Sequence, residues 1–440
     1  MGQVEHADAI VVGARCAGSA TAIALARAGR RVVAVDRASF PSDTLSTHLL
    51  FAGGVAELRA LGALERVEAL GSPRMTDATV AGAGITVQGG YSMVEEVDWA
   101  LCVRRAGLDA ALVETAREAG AEVRERTKAA DLVFDGGRVA GVRLEGPDGE
   151  GELRAPLVVG ADGRSSGVAR RLGVAEPYRS NPNQRACAFA YWRDREAGPR
   201  EVASQWREGS ELGTVFPCDG GDALVLLMPP VGRGAEFRAD PQGAYERTIE
   251  RMPGMRARLD GCERVSKVRV ATDLPSYFRR SSGAGWALPG DAGHFKDPVT
   301  AQGIRDALRY GRRLGELAAP ALGDRAALDR ALRAWEDERE RDCIEAYQWT
   351  NKLARAEPMT PLEVELYRDL RADSELARGF LDVFARRRLP SEVLGPRDGL
   401  RLAVRALRRP GADRRAVLRA VARELRDEVR DRRERRAVGA

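Results

Sequence analysis

The chain lacks the long apolar runs and paired cysteines that are typical of several protein classes. No run of eighteen apolar residues occurs, and the polar start MGQVEHAD leads straight into the first strand, so we expect no integral membrane segment and no signal peptide. The six cysteines are scattered without a C-x-x-C pair. This spacing argues against a disulfide framework or a metal site and favours a cytoplasmic location.

Lysine is also scarce, because only four of the 70 basic residues are lysines. The formal net charge of +5 is small, and we predict no nucleic-acid partner. Arginines concentrate after Arg386, interleaved with acids and with apolar residues at helical spacing, such as Leu400, Val404 and Leu407. We interpret this region as an amphipathic helical tail that packs on the body or on a second subunit, as in a homodimer. Binding to a membrane surface or an acidic partner is the alternative.

Residues 9–36 hold the most informative pattern of the chain. An apolar strand leads into a turn bracketed by Gly13 and Gly18, then an alanine-rich helix, a second apolar strand and finally Asp36. This order is typical of a βαβ unit in which the helix N-terminus faces a pyrophosphate and the acid binds an adenosine ribose. Arg15 stands where a second glycine belongs, and glycines that only turn the chain are the alternative.

Two later segments extend the pattern. GADGRSSGVARR, which contains Asp162, fits G-A-D-G-x-x-S-x-V-R, and GDAGHFKDPVTAQG fits G-D-A-x-H-x-x-x-P-x-x-G-Q-G, except that Ala301 replaces a glycine. A weaker match to R-x-x-L-D begins at Arg105. In this order and spacing, over residues 7 to about 320, the motifs resemble the group A FAD-dependent monooxygenases, or aromatic hydroxylases. That superfamily also includes epoxidases, halogenases and geranylgeranyl-type reductases.

The resemblance implies an α/β fold with a discontinuous FAD-binding domain. We expect a Rossmann-like domain of the glutathione-reductase type, an interleaved and mostly antiparallel β-sheet substrate domain, and a C-terminal helical region. The predicted boundaries are 1–75, 101–178 and 271–345 for the FAD-binding domain, 76–100 and 179–270 for the substrate domain, and 346–440 for the helical region.

Local patterns predict the elements of these domains. A helix is expected over 108–118, a hairpin around Gly136-Gly137, and a helical interruption of the substrate domain over 242–252. Prolines at 358, 361, 390 and 410 should break the helical C-terminal region. The predicted strands of the second block are 186–192, 202–207, 213–217, 223–228 and 265–270.

The resemblance further implies which residues hold FAD. In this family the aspartate of the G-D motif, here Asp291, hydrogen-bonds the ribityl chain or the pyrophosphate, and Pro298 ends a loop against the isoalloxazine ring. We predict a helix over 301–311 whose first amides, at about Gly303 and Ile304, face the flavin, where a helix N-terminus stabilises negative charge by ~0.3–2 kcal/mol. The predicted cofactor-binding residues are Gly13, Arg15, Cys16, Ala17, Gly18, Asp36, Arg37, Arg105, Asp162, Gly290, Asp291, Pro298, Gln302, Gly303 and Ile304.

Only three histidines are available for catalysis. His6 precedes the first strand and should be exposed, whereas His48 lies in a loop that runs toward the flavin, and His294 and Lys296 lie in the G-D loop. We predict that His48, His294 and Lys296 lie near the cofactor and bind substrate, shuttle protons or orient reduced flavin. The alternative for the histidines is a packed, hydrogen-bonded loop position. Cys16 is interpreted as a small residue packed under the cofactor, with a redox role as the alternative.

The resemblance favours a monooxygenase, either a hydroxylase or an epoxidase. It would act on an apolar, aromatic or polyketide-like small molecule through a flavin C4a-hydroperoxide, and the protein would mainly exclude water. The alternative is a flavin-dependent reductase of carbon–carbon double bonds. A halogenase is disfavoured because no W-x-W-x-I-P segment occurs, and a non-enzymatic scaffold would require lost flavin binding. Candidates for lining the substrate pocket, with the core as the alternative, are Tyr191, Trp192, Trp206, Phe216 and Met228.

The source of electrons is left open by the sequence. Gly82-Ala83-Gly84 is the best candidate for a second nucleotide fingerprint, but Val87 occupies its third glycine position and no long helix follows. We therefore predict no separate NAD(P)H domain. NAD(P)H would bind transiently as the electron donor, or a partner reductase would supply the electrons.

Overall fold

A six-stranded sheet carries the dinucleotide fingerprint in the computed structural model, which describes residues 4–147, 149–194 and 201–438. Its strands pair in parallel except at one edge. The inner strands are buried on both faces, because helices cover one face and a second sheet the other. The predicted Rossmann-like α/β domain is confirmed. In spatial order the strands are Ser282–Gly283, Trp286–Ala287, Leu157–Gly160, Ala9–Val12, Val32–Val35 and Glu122–Arg124.

The covering sheet has four strands and contains the predicted hairpin. Gly136 and Gly137 both have positive φ, 55° and 81°, which a two-residue turn between right-twisted strands requires. The hairpin prediction is confirmed. In spatial order the strands are Val4–His6, Gly149–Arg154, Arg138–Gly146 and Lys128–Asp135.

Two helices pack closely on each other, and the first of them also packs on the six-stranded sheet. These are Cys16–Arg27, the fingerprint helix, and Gly303–Ala318, the G-D helix. A Cβ at Gly311 of the G-D helix would lie 2.4 Å from the Ala17 carbonyl oxygen, so only glycine permits this approach. Gly303 lies eight residues earlier, which places the start of the G-D helix about 12 Å from that contact at 1.5 Å per residue. An extended ligand can therefore reach both helix N-termini.

An eight-stranded sheet joins two separate blocks of the chain. Its pairs are antiparallel except for Asp77–Gly82 with Ala203–Glu208, which are parallel. The mostly antiparallel character is confirmed, while the domain boundaries stay a prediction. In spatial order the strands are Glu263–Arg264, Cys187–Arg193, Asp222–Leu227, Glu211–Pro217, Ala203–Glu208, Asp77–Gly82 and Ile85–Gly90, and Arg269–Ala271 also pairs with Cys187–Arg193.

The predicted continuous strand over 265–270 is wrong. The chain forms two short strands, Glu263–Arg264 and Arg269–Ala271, and leaves the sheet between them. The Ser266 hydroxyl accepts the Tyr191 backbone N–H at 2.8 Å, so a side chain replaces the backbone partner that a regular strand would offer.

The two faces of this sheet have different partners. Phe189, Tyr191 and Phe216 belong to the large core shared with the FAD-binding region, whereas Trp192 and Trp206 pack on the helices of the opposite face. The period-two alternation of a strand separates Tyr191 from Trp192 in this way. Those helices, which include the predicted helical interruption, are Gly234–Ala239, Pro241–Glu250 and Pro253–Arg258.

Short elements complete the body of the molecule. Leu49–Leu50 pairs with Leu101–Cys102 in a two-stranded sheet. A three-stranded sheet consists of Arg179–Asn181, Ser276–Phe278 and His294–Phe295. The remaining helices of the body are Ala52–Ala60, Leu64–Glu68, Arg105–Glu118 and Gly167–Arg171, and the 3₁₀ turns are Asp219–Gly221, Val231–Arg233, Gly290–Ala292, Pro298–Thr300 and Ala319–Ala321.

The C-terminal region is helical, as predicted. Pro361 and Pro390 each occupy the first position of a helix, where the missing N–H costs nothing. Within the described residues, no helix is both long enough and apolar enough to cross a bilayer. The helices after the G-D helix are Arg325–Leu353, Pro361–Ala372, Ser374–Phe384, Pro390–Val393, Pro396–Arg408 and Arg414–Val438.

Candidate active site

The turn after the strand Ala9–Val12 lies where the sequence predicts the ribose end of the nucleotide site. Gly13 has φ of +99°, and a Cβ there would lie 2.5 Å from the Ala161 carbonyl oxygen, so the turn requires glycine. The Asp36 carboxylate accepts the backbone N–H groups of Ala14 and Ala38, both at 2.8 Å. These bonds hold the acid beside the fingerprint turn, where the sequence predicts the adenosine ribose.

Arg15 is directed away from the turn by its side-chain partners. One guanidinium nitrogen lies 2.5 Å from Asp109 Oδ2, and the other donates to Ser42 Oγ at 2.8 Å. Arg15 also precedes the fingerprint helix, whose first amides have no side-chain cap. Arg15, which replaces the second glycine of the motif, therefore does not block the helix N-terminus that would bind an anion.

Asp109 organises this corner of the site and was not among the predicted site residues. Its fully buried carboxylate accepts from Arg105 at 2.9–3.1 Å and from Cys16 Sγ at 3.4 Å, in addition to Arg15. Burial raises the pKa of Cys16 to about 12, so this thiol stays protonated, which favours the packing interpretation over a redox role. The R-x-x-L-D match contained the signal for Asp109, because that aspartate ends the motif.

Asp162 caps a short helix. Its carboxylate accepts the Ser166 hydroxyl at 2.5 Å and the amides of Gly167 and Val168 at 2.7 and 3.1 Å. These contacts explain why the motif needs both the aspartate and the serine. A direct contact of Asp162 with the cofactor stays a prediction, as does one for Arg37, whose side chain is exposed.

The G-D turn packs against the fingerprint helix and presents Asp291. A Cβ at Gly290 would lie 2.8 Å from the Ala17 Cβ, so the turn and the helix are in close contact. Among the described residues, no group donates a hydrogen bond to the Asp291 carboxylate, and burial raises its pKa to about 6 although Arg164 and Arg105 lower it. A partly buried acceptor without a protein partner suits a ligand hydroxyl.

The G-D helix begins at Gly303 and continues to Ala318, so the predicted start at Ala301 and end at Gly311 are both wrong. Ala301 has φ of +50°, a left-handed conformation that ends the preceding turn and cannot start a helix. Gly303 is exposed and a Cβ there would meet no atom within 4 Å, whereas Gln302 and Ile304 are buried. The start of the helix at Gly303 thus borders open space, and a flavin contact there stays a prediction.

Lys296 forms a buried ion pair under this helix. Its ammonium lies 2.6 Å from Asp306 Oδ2 and 3.0 Å from Gln302 Oε1. Burial alone would raise the pKa of Asp306, but Lys296, Arg386 and Arg305 hold it well below its ordinary value. Lys296 is therefore an anchor of the loop, and its predicted role toward substrate stays a prediction.

His294 is stacked between aromatic rings. Its ring lies 4.0 Å from that of Phe278, and Nδ1 donates to the Tyr277 carbonyl at 3.1 Å. Burial and the nearby Lys296 charge lower its pKa well below the ordinary value, so the imidazole is neutral. Its Nε2 has no partner among the described residues, and His294 lines a cavity of about 10 Å³, enough for about one water molecule.

His294, Asp306 and Cys343 bring potential metal ligands within 4.8 Å of one another. Asp306 is already paired with Lys296 and, at 2.9 Å, with Arg305. Such positive surroundings disfavour a further cation, and we assign no metal here.

His48 links the loop that precedes Leu49–Leu50 to the eight-stranded sheet. Nδ1 donates to the Ser46 carbonyl at 2.8 Å, so Nε2 accepts the Tyr191 hydroxyl at 2.7 Å. Burial, assisted by the Arg105 charge, lowers the pKa of His48 to about 4. The neutral ring is both packed and hydrogen-bonded, and a catalytic role for it stays a prediction.

An apolar cavity of about 30 Å³ lies between the loop of the G-D motif and the eight-stranded sheet. Loop residues Val299, Thr300 and Ala301 form one wall, and Phe216 lies in the sheet wall. Of the five pocket candidates only Phe216 lines this cavity. The cavity residues that the sequence analysis missed are Leu49, Phe51, Ala78, Thr79, Val80, Ala203, Gln205, Leu381 and Phe384.

The helix Ser374–Phe384 closes the cavity from the C-terminal region. Leu381 and Phe384 line it, and the Gln302 amide donates to the carbonyls of Val383 and Phe384 at 3.0 and 3.3 Å. Both carbonyls lie at the end of a helix, and that of Val383 also accepts the Arg386 backbone N–H at 3.2 Å. No motif in the tail carried a signal for this contact, since it depends only on how the tail folds back.

Comparison with known proteins supports an FAD-binding chain. The model of the FAD binding domain family matches residues 6–350. Digeranylgeranylglycerophospholipid reductase 2 of Methanothermobacter thermautotrophicus is 29% identical over 327 residues, which cover 72% of this chain and 78% of that protein. The 1H-pyrrole-2-carbonyl-[peptidyl-carrier protein] brominase of Pseudoalteromonas luteoviolacea is 24% identical over 330 residues, covering 73% of this chain and 79% of that protein.

Solved structures show the same fold. The flavin-dependent brominase Bmp2 superposes with a TM-score of 0.78 at 18% identity, over 96% of this chain and 100% of that one. At this identity the likeness concerns the fold alone. The resemblance to a superfamily of flavoprotein monooxygenases and geranylgeranyl-type reductases, inferred from the sequence motifs, is confirmed.

Proposed function

The chain belongs to the FAD binding domain family and is an FAD-dependent oxidoreductase, and from this premise we propose that it is a monooxygenase, a hydroxylase or epoxidase, of an apolar small molecule. The cavity beside Val299–Ala301 carries the proposal: at about 30 Å³ it has room for about two water molecules, so it marks the apolar place that would widen to admit a substrate. Its walls are apolar apart from the uncharged Thr79, Gln205 and Thr300. Such a lining suits a reaction in which the protein orients the substrate and keeps water away.

The residues of this chain fit FAD in an extended pose. Asp36 would accept hydrogen bonds from the ribose, the open N-terminus of the fingerprint helix would face the pyrophosphate, and Asp291 would accept from a ribityl hydroxyl. The amide of Gly303 would donate to the flavin at the open start of the G-D helix. When bound, FAD supplies two-electron transfer and the reaction with dioxygen.

The protein's own contribution is orientation and exclusion of water. Phe384 and Leu381 close the cavity on the side of the C-terminal region, and Gln302 holds their helix in place. Thr79 and Gln205 offer the polar groups that can orient a substrate. We propose NAD(P)H as a transient electron donor, with a partner reductase as the alternative, and a cytoplasmic location.

A second candidate is a reductase of carbon–carbon double bonds. The name of the methanogen relative, a digeranylgeranylglycerophospholipid reductase, favours it. Tyr191 lies in the same core as Phe216, and burial raises the pKa of its hydroxyl well above the ordinary value, so it keeps its proton. A reduction also needs a proton at the carbon that receives no hydride, and Tyr191, which lies outside the cavity lining, would have to supply it through an intervening water molecule.

Styrene is a probe that separates these reactions, because it can be hydroxylated on the ring, epoxidised or reduced. The FAD-loaded protein would be photoreduced without oxygen, given styrene, and then divided between anaerobic buffer and buffer with ¹⁸O₂. A monooxygenase yields styrene oxide or a hydroxystyrene with one labelled oxygen atom, only with oxygen. A reductase yields ethylbenzene in both halves. Recovery of unreacted styrene alone from both halves would contradict both activities toward apolar alkenes.

A variant that fills the cavity tests whether the substrate binds there. Ala78→Val adds two methyl groups at the cavity wall, so product should fall while FAD content and the rate of flavin reduction stay the same. Val265→Leu is the control, because Val265 is 45% exposed and lies outside the cavity lining.

A further inference from the structure

The last helix, Arg414–Val438, presents an apolar stripe to solvent. Leu418, Leu425 and Val429 are 60%, 64% and 52% exposed, and Ala422 is exposed as well. Their spacing of four, three and four residues aligns them on one side of the helix. We call Leu418, Ala422, Leu425 and Val429 the Leu418 stripe.

The opposite side of this helix is fixed to the body. Asp427 and Asp431 are buried there, and they pair with Arg355 at 2.5 Å and with Lys352 at 3.2 Å. Gln348 also donates to the Asp431 carbonyl at 3.1 Å. The helix is therefore held with the Leu418 stripe outward, where Leu418, Leu425 and Val429 are each more than half exposed.

Arginines follow the stripe along one edge. Arg419, Arg426 and Arg433 recur every seven residues, which places them beside Leu418, Leu425 and the end of the stripe. All three are exposed, and none forms an ion pair with the described residues. They contrast with the arginines of the packed side, such as Arg423, which pairs with Glu357.

The preceding helix, Pro396–Arg408, repeats this pattern. Leu400 is 69% and Val404 is 37% exposed, next to the exposed Arg397 and Arg408. Residues 396–438 contain fifteen arginines and seven acidic residues, a net charge of +8 against +5 for the whole chain. The positive charge of the protein thus resides in these two helices.

We propose that the Leu418 stripe and its arginines dock the protein on an anionic phospholipid surface. Helices that lie in the membrane interface combine an apolar face with flanking cationic side chains, whose stems reach along the lipid while their charges stay at the headgroups. Pairing of the stripe with a second copy would instead bring two regions of net charge +8 together. The charge therefore favours lipid over a homodimer.

This docking would hold the protein at the surface where apolar molecules dissolve. The last helix packs on the long helix Arg325–Leu353. This long helix also contacts the loop that lines the cavity, since the hydroxyls of Thr350 and Thr300 lie 3.0 Å apart. The docking does not depend on which reaction the FAD site performs, so its test uses binding and not turnover.

The test is co-sedimentation of the FAD-loaded protein with vesicles. Vesicles of three parts phosphatidylcholine to one part phosphatidylglycerol should bind the protein, and vesicles of phosphatidylcholine alone should not. Raising salt from about 0.1 M to about 0.5 M should release most of it, because the Debye length shrinks. Equal binding to both vesicle types, or to neither, would overturn the proposal.

Two variants locate the contact. Arg419, Arg426 and Arg433 replaced together by Gln should weaken binding about a hundredfold, at about a factor of five per arginine near the surface. Arg143, Arg330 and Arg333 replaced by Gln remove the same charge from exposed positions elsewhere and should change binding little. Equal losses in both triple variants would show a general charge effect and overturn the assignment to this helix.

The apolar part is tested by Leu418→Ser with Leu425→Ser. Both side chains are largely exposed, so FAD content and thermal stability should be unchanged while vesicle binding falls at least tenfold. Phe134→Ser, at a position that is 51% exposed on another sheet, is the control. If the stripe variant instead turns a dimer into a monomer in sedimentation analysis and the parent protein never binds vesicles, the stripe is a subunit interface.

Discussion

The Asp291 carboxylate is a hydrogen-bond acceptor that is free to bind a ligand. It is partly buried, its pKa is raised to about 6, and no described residue donates to it. Leaving a buried acceptor unpaired costs about 1–3 kcal/mol, which a ligand hydroxyl would recover. Asp36, by contrast, is already held by two backbone amides and is positioned before any ligand arrives.

We predict that Asp291→Ala weakens FAD binding about 10–100-fold, because one hydrogen bond to a charged acceptor is lost. Asp291→Asn keeps an acceptor oxygen and should lose less. Quenching of flavin fluorescence on titration of the apoprotein measures both affinities. Unchanged FAD affinity in the alanine variant would refute the role assigned to this residue.

A second carboxyl group makes stability depend on pH. Burial raises the pKa of Asp297 to about 7, although it accepts the Val299 amide at 3.0 Å. Because this pKa is higher in the folded than in the unfolded chain, the stability that Asp297 contributes is lost as pH rises from about 4 to about 7.

Asp297→Asn should therefore raise the melting temperature at pH 8 and change it less at pH 5. The amide oxygen still accepts the Val299 N–H, but no charge is buried at alkaline pH. Thermal unfolding of both proteins at the two pH values measures the effect. A melting temperature at pH 8 no higher than that of the parent would contradict the burial argument.

At the scale of elements, two glycines of the G-D helix have opposite surroundings. A Cβ at Gly311 would press on the Ala17 carbonyl at 2.4 Å, whereas a Cβ at Gly303 would meet nothing within 4 Å. The first glycine serves the packing of two helices, and the second leaves space at the helix start.

Gly311→Ala should accordingly lower the stability of the apoprotein by about 1–3 kcal/mol, since neither backbone can yield easily. Gly303→Ala should leave apoprotein stability unchanged but weaken FAD binding, because the methyl group occupies the cofactor's space. Urea unfolding of the apoproteins and FAD titration separate the two effects. The same loss of apoprotein stability in both variants would contradict this assignment.

At the scale of the whole molecule, we expect bound FAD to hold separate segments of the chain together. The residues expected to hold it come from the fingerprint turn, the G-D turn and the start of the G-D helix, which are distant in sequence. A ligand that binds only the folded state stabilises it by about 2.7 kcal/mol at a hundred times its dissociation constant.

The apoprotein should therefore melt at a higher temperature as FAD is added. Riboflavin, which lacks the adenosine that Asp36 would bind, should raise the melting temperature much less. Differential scanning calorimetry at increasing concentrations of each compound measures this difference. Equal shifts with both compounds would show that the ribose end of the site is not used.

The sequence by itself determined the parts of the molecule that local chemistry specifies. The turn at Gly13, the acid at Asp36 and the motif around Asp291 each need particular residue types at short spacings, so the motifs predicted the cofactor domain and its fold. The hairpin at Gly136-Gly137 was predictable for the same reason.

Only the tertiary structure decided which distant residues meet. The contact of Asp109 with Arg15, the bond between Tyr191 and His48, and the closure of the cavity by Phe384 each join segments far apart in the chain. The start of the G-D helix at Gly303 likewise depends on the left-handed Ala301, which no helix propensity predicts. Such contacts follow from packing and burial across the whole chain, and a pattern of neighbouring residues does not encode them.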